Sequence, residues 1–372
     1  MNRTSVVAVA AGLLVGVAAP PAEAQLGRIT GAVKKAAEVR DLQMTDAEEQ
    51  TLGAGVSERI RLRYGVVQDA AVHRYVALVG GALAQASTRP GLPWTFIVLD
   101  TDGVNAFAAP GGFVHITRGA LALVKDEAEL AGVLGHEIVH VTEKHTIRAI
   151  QKSQAVQMGA AETLSNNSAL LERAVTATYD NIVDKGFGRE EEHESDEKGI
   201  ALANQVGYQP AGLSGFLTRL KERNAGASEK RGLFASHPDM DRRLDNIRKE
   251  IGSRKLASSV TLGDRYGRFI KYVPRPVTEI ATVEAGSAGL TGGETKAAPP
   301  PKKEEPKKRG FGLSRMMPTG GGEKQQAQVT GSGSARGVDP EKDARGGSNP
   351  KPVPVKIGPS DIATFKKEGG LK

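Results

Sequence analysis

The order of hydrophobic periodicities along the chain predicts an α+β fold, mainly helical, with a small β-sheet between two helical stretches. Three observations carry this expectation. Apolar residues recur at helical spacing through residues 48–86, β-rich runs separated by turn residues occupy residues 94–116, and helical spacing resumes from Asp126.

The N-terminus comes first and stands apart. Asn2 and Arg3 precede an apolar run of small residues from Val6 to Ala19, and Ala22-Glu23-Ala24 offers an A-x-A cleavage site before Gln25. Residues 1–24 therefore read as a signal peptide removed on export. The run is shorter than the about 20 residues of a membrane span, and no later segment is apolar enough to be one. The processed chain is expected to be soluble, in the periplasm or secreted. With no cysteine among its 372 residues, it can form no disulfide and no thiolate metal site. Any metal must rest on His, Glu or Asp.

Helices are expected over Glu48 to Tyr64 and Asp69 to Ala86, divided by the Gly65 turn and ended by Arg89-Pro90-Gly91. Trp94 to Leu99, Val104 to Ala108 and Phe113 to Ile116 read as short strands, the last two flanking the turn Pro110-Gly111-Gly112. Phe113 to Ile116 is read as an exposed edge able to pair with an extended peptide, or else as an ordinary core strand. His115 lies in it, near a cleft or at a plain strand position. His73, in the second helix, carries no functional signal.

Asp126 to Arg148 reads as one helix. Asp126 and Glu129 fit a capping box, acids fill the first turn, and Lys144, His145 and Arg148 fill the last. Within it stands His136-Glu137-Ile138-Val139-His140, the pattern H-E-x-x-H. Residues four apart share one face of a helix, so both imidazoles can converge on one cation. Glu137, about 100° round the helix, reaches the open side, where it can take a proton from a bound water. The bland alternative is two ordinary helix histidines. His145 should point away from the metal face and complement the helix end.

Helical pattern continues from 149 to Gly186, and Gly188 to Val206 forms a further helix with Gly207 as its C-cap. Glu192, Asp196, Ile200 and Ala203 lie along one side of it. Beside two histidines, a three-ligand catalytic zinc site needs one more ligand, which Glu192 can supply. Asp196, one turn on, can accept the second N–H of a ligating imidazole. Against this, five glutamates and an aspartate within residues 188–200 are also what a solvated helix surface looks like. His193 is a rival ligand but projects about 100° away, so it is read as surface.

HEIVHVTEKH, preceded by NAFAAPGGFVHITRGAL and followed by Glu192 and Asp196, resembles the M48 family of zinc metallopeptidases, in particular its exported bacterial members. The resemblance runs from about Asp46 to about Lys255 and includes Ser236-His237-Pro238 with Arg243 downstream. It implies a gluzincin-type zincin fold with the sheet next to the active-site helix. It also implies one Zn²⁺ per chain on His136, His140 and Glu192, with Glu137 as general base and Asp196 in the outer shell. His237 falls in the S-H-P loop, as a resting fourth ligand or a contact to the substrate oxyanion. Two departures stand out: Gly188, where a serine is common, and Ser195, where alanine is usual.

The peptidase domain is thus expected over 25–257, with a short extension over 258–284 in which Val260 to Val273 holds one or two strands or else a short ordered segment. Residues 285–372, rich in Pro, Gly and Lys, are expected to be a disordered tail, with a brief helix over Ser360 to Phe365. The formal charge of +7 belongs to that tail, since Gly293 to Lys372 holds 16 Lys/Arg and 9 Asp/Glu. Nucleic acid is therefore not an expected partner, although a loose attraction to membrane or envelope surfaces remains open. The functional expectation is a zinc endopeptidase of unfolded or misassembled envelope proteins. The alternatives are a zinc-stabilised, chaperone-like binding module and a hydrolase of a non-protein amide.

Overall fold

The computed structural model describes residues 44–152, 167–225, 237, 239–276 and 349–372. The expected signal peptide and most of the tail lie outside them. The fold is α+β, mainly helical with one small sheet among the described residues. Helix α1 (Asp46–Tyr64) opens on a capping box between Thr45 and Glu48 and ends at Gly65, whose φ of 73° breaks the helical path. Helix α2 (Ala70–Ala86) is capped by Asp69, which accepts from the N–H groups of Ala71 and Val72.

Strands β1 (Thr95–Leu99), β2 (Ala106–Ala109) and β3 (Phe113–Thr117) form a sheet in the order β1-β3-β2. β3 runs parallel to β1 and antiparallel to β2. This overturns the edge reading of Phe113 to Ile116: β3 is the central strand, with ladders on both sides, and β1 and β2 are the edges. The reversal from β2 into β3 goes through one 3₁₀ turn, Pro110–Gly112, with Gly111 at φ 73° and Gly112 at φ 95°, a conformation that glycine alone adopts freely. Side chains alternate across the sheet. Phe96, Val98, Ala108 and Val114 face one core with α2, and Ile97, Leu99, Phe107 and Ala109 face the other with α1. His115 is buried on the α1 side, with Nε2 2.9 Å from Ser57 Oγ, so it serves the core rather than a cleft. His73 is likewise buried, 2.8 Å from the Val67 carbonyl.

Helix α3 (Arg118–Leu123) follows β3 directly, capped by Thr117. The single helix expected over 126–148 is two, α4 (Glu127–Thr142) and α5 (His145–Lys152). Between them Lys144 takes a left-handed φ of 56°, a costly conformation for a residue with a Cβ. Lys144 Nζ pairs there with the buried Glu49 carboxylate, and Arg89 Nη1 donates to both Glu49 and the Val141 carbonyl. These ionic contacts hold the break.

Helix α6 (Ser168–Asp180) continues into one π-helical turn, Asn181–Lys185. Helix α7 (Arg189–Val206) ends, as expected, on Gly207 at φ 117°. Helices α8 (Gly212–Arg223) and α9 (Met240–Ser253) complete the layer around α4. α4 and α7 cross closely because glycines face each other. A Cβ on Gly199 would sit 2.9 Å from the His136 nitrogen, and one on Gly135 would sit 2.9 Å from the Gly199 carbonyl oxygen.

Downstream, the two readings of Val260 to Val273 are separated: the segment is ordered, but as helix α10 (Gly263–Phe269) and not as strands, with Val260 making an isolated bridge to Tyr208. The expectation of a disordered tail is corrected at its end, where residues 349–372 lie along the domain, while the brief helix expected over Ser360 to Phe365 is present as α11 (Pro359–Glu368). The physical reason is local composition, since Ile362 and Phe365 are buried in the main core with Leu371 packed against it. Backbone bonds seal both ends, from Val66 N to Asn349 O at 2.7 Å and from Lys372 N to Val206 O at 2.8 Å.

The two segments meet at the start of α4. Buried Glu127 accepts from Tyr75 Oη at 2.7 Å, Tyr208 Oη at 2.6 Å and Arg265 Nε at 2.7 Å. Arg265 also donates to the Phe365 carbonyl at 2.9 Å and lies 3.9 Å over the Phe365 ring. No helix among the described residues is long and apolar enough to cross a membrane.

Three outcomes follow from this packing. Phe365→Ala removes a buried ring and its cation contact and should lower stability by about 3 kcal/mol, read in urea melts. Gly199→Ala forces α4 and α7 apart and should cost about 1–3 kcal/mol, read the same way. His115 concerns pH. Burial drives its pKa down from 6.5 to about 3, whereas an unfolded histidine titrates at about 6.5. Between those values the unfolded state binds a proton that the folded state does not. Stability is therefore full above about pH 6.5 and is lost as pH falls toward 3, by up to about 1.4 kcal/mol per pH unit from this group. Melting temperatures between pH 7 and 5 should fall, and His115→Gln should flatten the fall.

Candidate metal centre

Helix α4 is fixed at its N-terminus by Asp126, which accepts from the Glu129 N–H at 2.9 Å, and by the Glu127 cluster. One turn apart on it, His136 and His140 present their Nε2 atoms to the same space, 3.0 Å from each other. The crossing helix α7 brings Glu192, with Oε2 3.6 Å from His136 Nε2 and Oε1 3.5 Å from His140 Nε2. His237 closes the group. Its Nδ1 is 3.2 Å from His136 Nε2 and 2.7 Å from Glu192 Oε1. All four side chains are buried, and one donor atom from each lies within 4.8 Å of every other.

The outer partners fix the ring states. Asp196 Oδ1 is 3.0 Å from His136 Nδ1. Arg243 on α9 donates to Asp196 at 2.8 and 2.6 Å and approaches Glu192 Oε2 to 3.0 Å. With its proton on Nδ1 toward Asp196, His136 turns a lone pair into the cluster. Burial drives the His140 pKa well below 6.5, so that ring is neutral. Burial alone would raise Glu192, but His237, Arg243 and His136 hold its carboxyl well below the usual range. On His237 burial opposes charge, yet the Glu192 carboxylate raises its pKa. A proton and a cation thus compete for the same lone pair.

Two features fit this set to a divalent cation. Imidazole lone pairs and a carboxylate oxygen converge within hydrogen-bond distance with too few hydrogens to separate them. In addition, three buried carboxylates, Glu137, Glu192 and Asp196, stand around one buried guanidinium, Arg243. With the imidazoles serving as neutral lone-pair donors, two negative charges would stay uncompensated in a low-dielectric interior, which a divalent ion would balance. Nitrogen donors with one carboxylate and no thiolate suit zinc.

Glu137 sits beside the cluster rather than in it. Its carboxylate is 1% exposed, and neither oxygen has a hydrogen-bond partner among the described residues. His237 Nε2 approaches no nearer than 3.8 Å. Burial pushes its pKa up, with His237 and His136 opposing. A space of about 10 Å³ separates it from Val133, Leu213 and Leu217, on the scale of one water position. On the far side of Glu192 a larger cleft of about 430 Å³ runs between the N-terminal ends of α7 and α9, lined by Arg189, His193, Asp239 and Arg242 among others. His193 faces that cleft and not the cluster, as expected.

The roles of two residues of the site were not read from the sequence. Arg243 entered only with the S-H-P motif and without a role, and it reaches Asp196 from 47 positions away. His145 was expected to point off the metal face, but it is 1% exposed with Nδ1 2.9 Å from His140 Nδ1. The left-handed turn at Lys144 swings it back, which helical periodicity cannot reveal. Phe187 stacks on the His140 ring at 3.9 Å. Ser236 and Pro238, which flank His237 in the sequence motif, lie outside the described residues.

The profile of Peptidase family M48 matches residues 70–251. A putative beta-barrel assembly-enhancing protease of Vibrio cholerae serotype O1 is 28% identical over 216 residues, 55% of this chain and 44% of its own length. Metalloprotease YcaL of Escherichia coli (strain K12) is 29% identical over 169 residues, 44% of this chain and 65% of its own. Mitochondrial metalloendopeptidase OMA1 of Schizosaccharomyces pombe is 27% identical over 176 residues, 46% of this chain and 51% of its own. The chain therefore spans less than half the length of the beta-barrel assembly-enhancing protease that it matches. The matched span holds every member of the buried cluster and its outer partners, so the metal centre lies within a peptidase family M48 domain at residues 70–251.

Proposed function

We propose that this protein is a zinc-dependent endopeptidase that cuts misfolded or unassembled proteins of the cell envelope, working in the periplasm after removal of residues 1–24. The observation that carries this reading is the buried carboxylate of Glu137, without a hydrogen-bond partner among the described residues, beside the His136, His140 and Glu192 donor set. An unpaired buried carboxylate is expensive, and a merely structural metal site has no use for it. The family match supports the reaction class. The names of the bacterial relatives, which refer to β-barrel assembly, support the choice of envelope proteins as substrates.

In this reading His136, His140 and Glu192 hold the ion, and Asp196 orients His136 by accepting its Nδ1–H. A zinc ion bound there supplies a Lewis acid and acidifies the attacking water. Glu137 takes the proton from that water and returns it to the leaving amine, a task suited to a carboxyl whose pKa burial raises. Arg243 keeps Asp196 and Glu192 ionised. His237, whose Nδ1 lies 2.7 Å from Glu192 Oε1, would serve as a resting fourth ligand, and its withdrawal would open the site to an extended peptide. Pairing of that peptide falls to an edge strand, β1 or β2, and not to β3. The proposed domain takes in residues 258–276 and 349–372, since both bury apolar side chains in its core.

The test compares zinc content and casein cleavage in the protein and in Glu137→Gln. One zinc per chain in both, with cleavage reduced by about 10³-fold or more in the variant, is the expected result for loss of a base. Should both bind zinc and unfolded protein while neither cuts, even with His237→Ala, the chaperone-like binding module replaces the peptidase reading.

A further inference from the structure

We propose that His145 and Glu194 form a relay that locks His140 in the one tautomer able to bind the ion, so that His145 is a positioning residue of the metal site. The inference rests on the metal-centre reading above and deepens it. His136 meets a carboxylate directly, through Asp196. His140 does not: its Nδ1 faces His145 Nδ1 at 2.9 Å, and His145 Nε2 lies 3.0 Å from Glu194 Oε2.

The hydrogens can be placed by elimination. Only one proton fits between two Nδ1 atoms at that distance. Glu194, about one-third exposed, already stands as the carboxylate partner of Lys198 Nζ at 2.6 Å. It can therefore only accept, and His145 must carry its hydrogen on Nε2. His145 Nδ1 is then a lone pair, which accepts from His140 Nδ1–H. That leaves the His140 lone pair on Nε2, the atom 3.0 Å from His136 Nε2. The opposite arrangement would put a hydrogen on His140 Nε2 and abolish it as a ligand.

Burial makes the lock effective. His145 is 1% exposed, and among the described residues its Nδ1 has Ser195 Oγ as a further partner at 3.3 Å. Water cannot substitute for the imidazole there. Glu194, about one-third exposed, anchors the relay at the protein surface. A ligand's outer partner of this kind commonly changes metal affinity by about 10–100-fold.

The measurement is the zinc dissociation constant of the full chain by competition with a chelating dye, together with melting of the metal-free protein. His145→Phe should weaken zinc binding by about 10–100-fold. His145→Asn, whose Oδ1 can accept from His140 Nδ1–H, should recover most of that loss, and Glu194→Gln should weaken binding by several-fold. In ¹⁵N imidazole spectra of the zinc-bound protein, His145 should show its hydrogen on Nε2. Wild-type affinity in both His145→Phe and Glu194→Gln overturns the relay, as does an Asn variant as weak as the Phe variant, which would make His145 a matter of packing alone. If His145→Phe fails to fold, the partly exposed Glu194→Gln decides. A wild type that binds no zinc would sink the metal-centre reading itself, a result distinct from equal binding by wild type and variants.

Discussion

Where α4 crosses α7, Gly135 and Gly199 let two backbones meet at a distance that no side chain tolerates, and the rest of the site is built on that contact. With a Cβ at either position the helices would separate by more than the slack in a metal site allows, since ligand distances hold to within about 0.2 Å. The crossing sets Glu192 between the two imidazoles of α4 and Asp196 behind the first of them. Both helices contribute ligands and outer partners from rigid backbone, so little ordering remains for the ion to impose.

A close crossing also concentrates charge. Glu137, Glu192 and Asp196 all enter one dry space, and Arg243 from α9 is the counter-ion within it. The arrangement is stable because Arg243 is bidentate on Asp196 and reaches Glu192 with its remaining Nη, satisfying the geometry that a buried ion pair needs. Glu137 accepts no hydrogen bond from Arg243 or from any other described residue.

The far end of α4 shows how the fold supports the site from outside. Glu127 joins Tyr75, Tyr208 and Arg265, and Arg265 in turn holds the Phe365 carbonyl and ring. The C-terminal residues thus brace the helix that carries His136 and His140, two turns before the first ligand. At the other end, Glu49 and Arg89 hold the Lys144 turn, and that turn delivers His145 to His140. Both ends of the active-site helix are fixed by ionic groups from segments distant in sequence.

By itself the sequence determined the elements whose signals are local. Capping residues, the spacing of His136, Glu137 and His140, and the Glu192 and Asp196 turn all lie within a few residues of each other, where helical geometry converts spacing directly into direction. The same holds for α+β order, read from where period 3.6 gives way to period 2. Tertiary structure decided what depends on distant partners. The strand order β1-β3-β2 placed β3 in the middle, because pairing is chosen between strands and not within one. The break at Lys144 needed Glu49 to stabilise it, so His145 could not be read as a neighbour of His140. Arg243 found Asp196 only through packing of α9 on α7. The last 24 residues, 349–372, read as part of a tail because their few apolar side chains meet no core until the domain provides one.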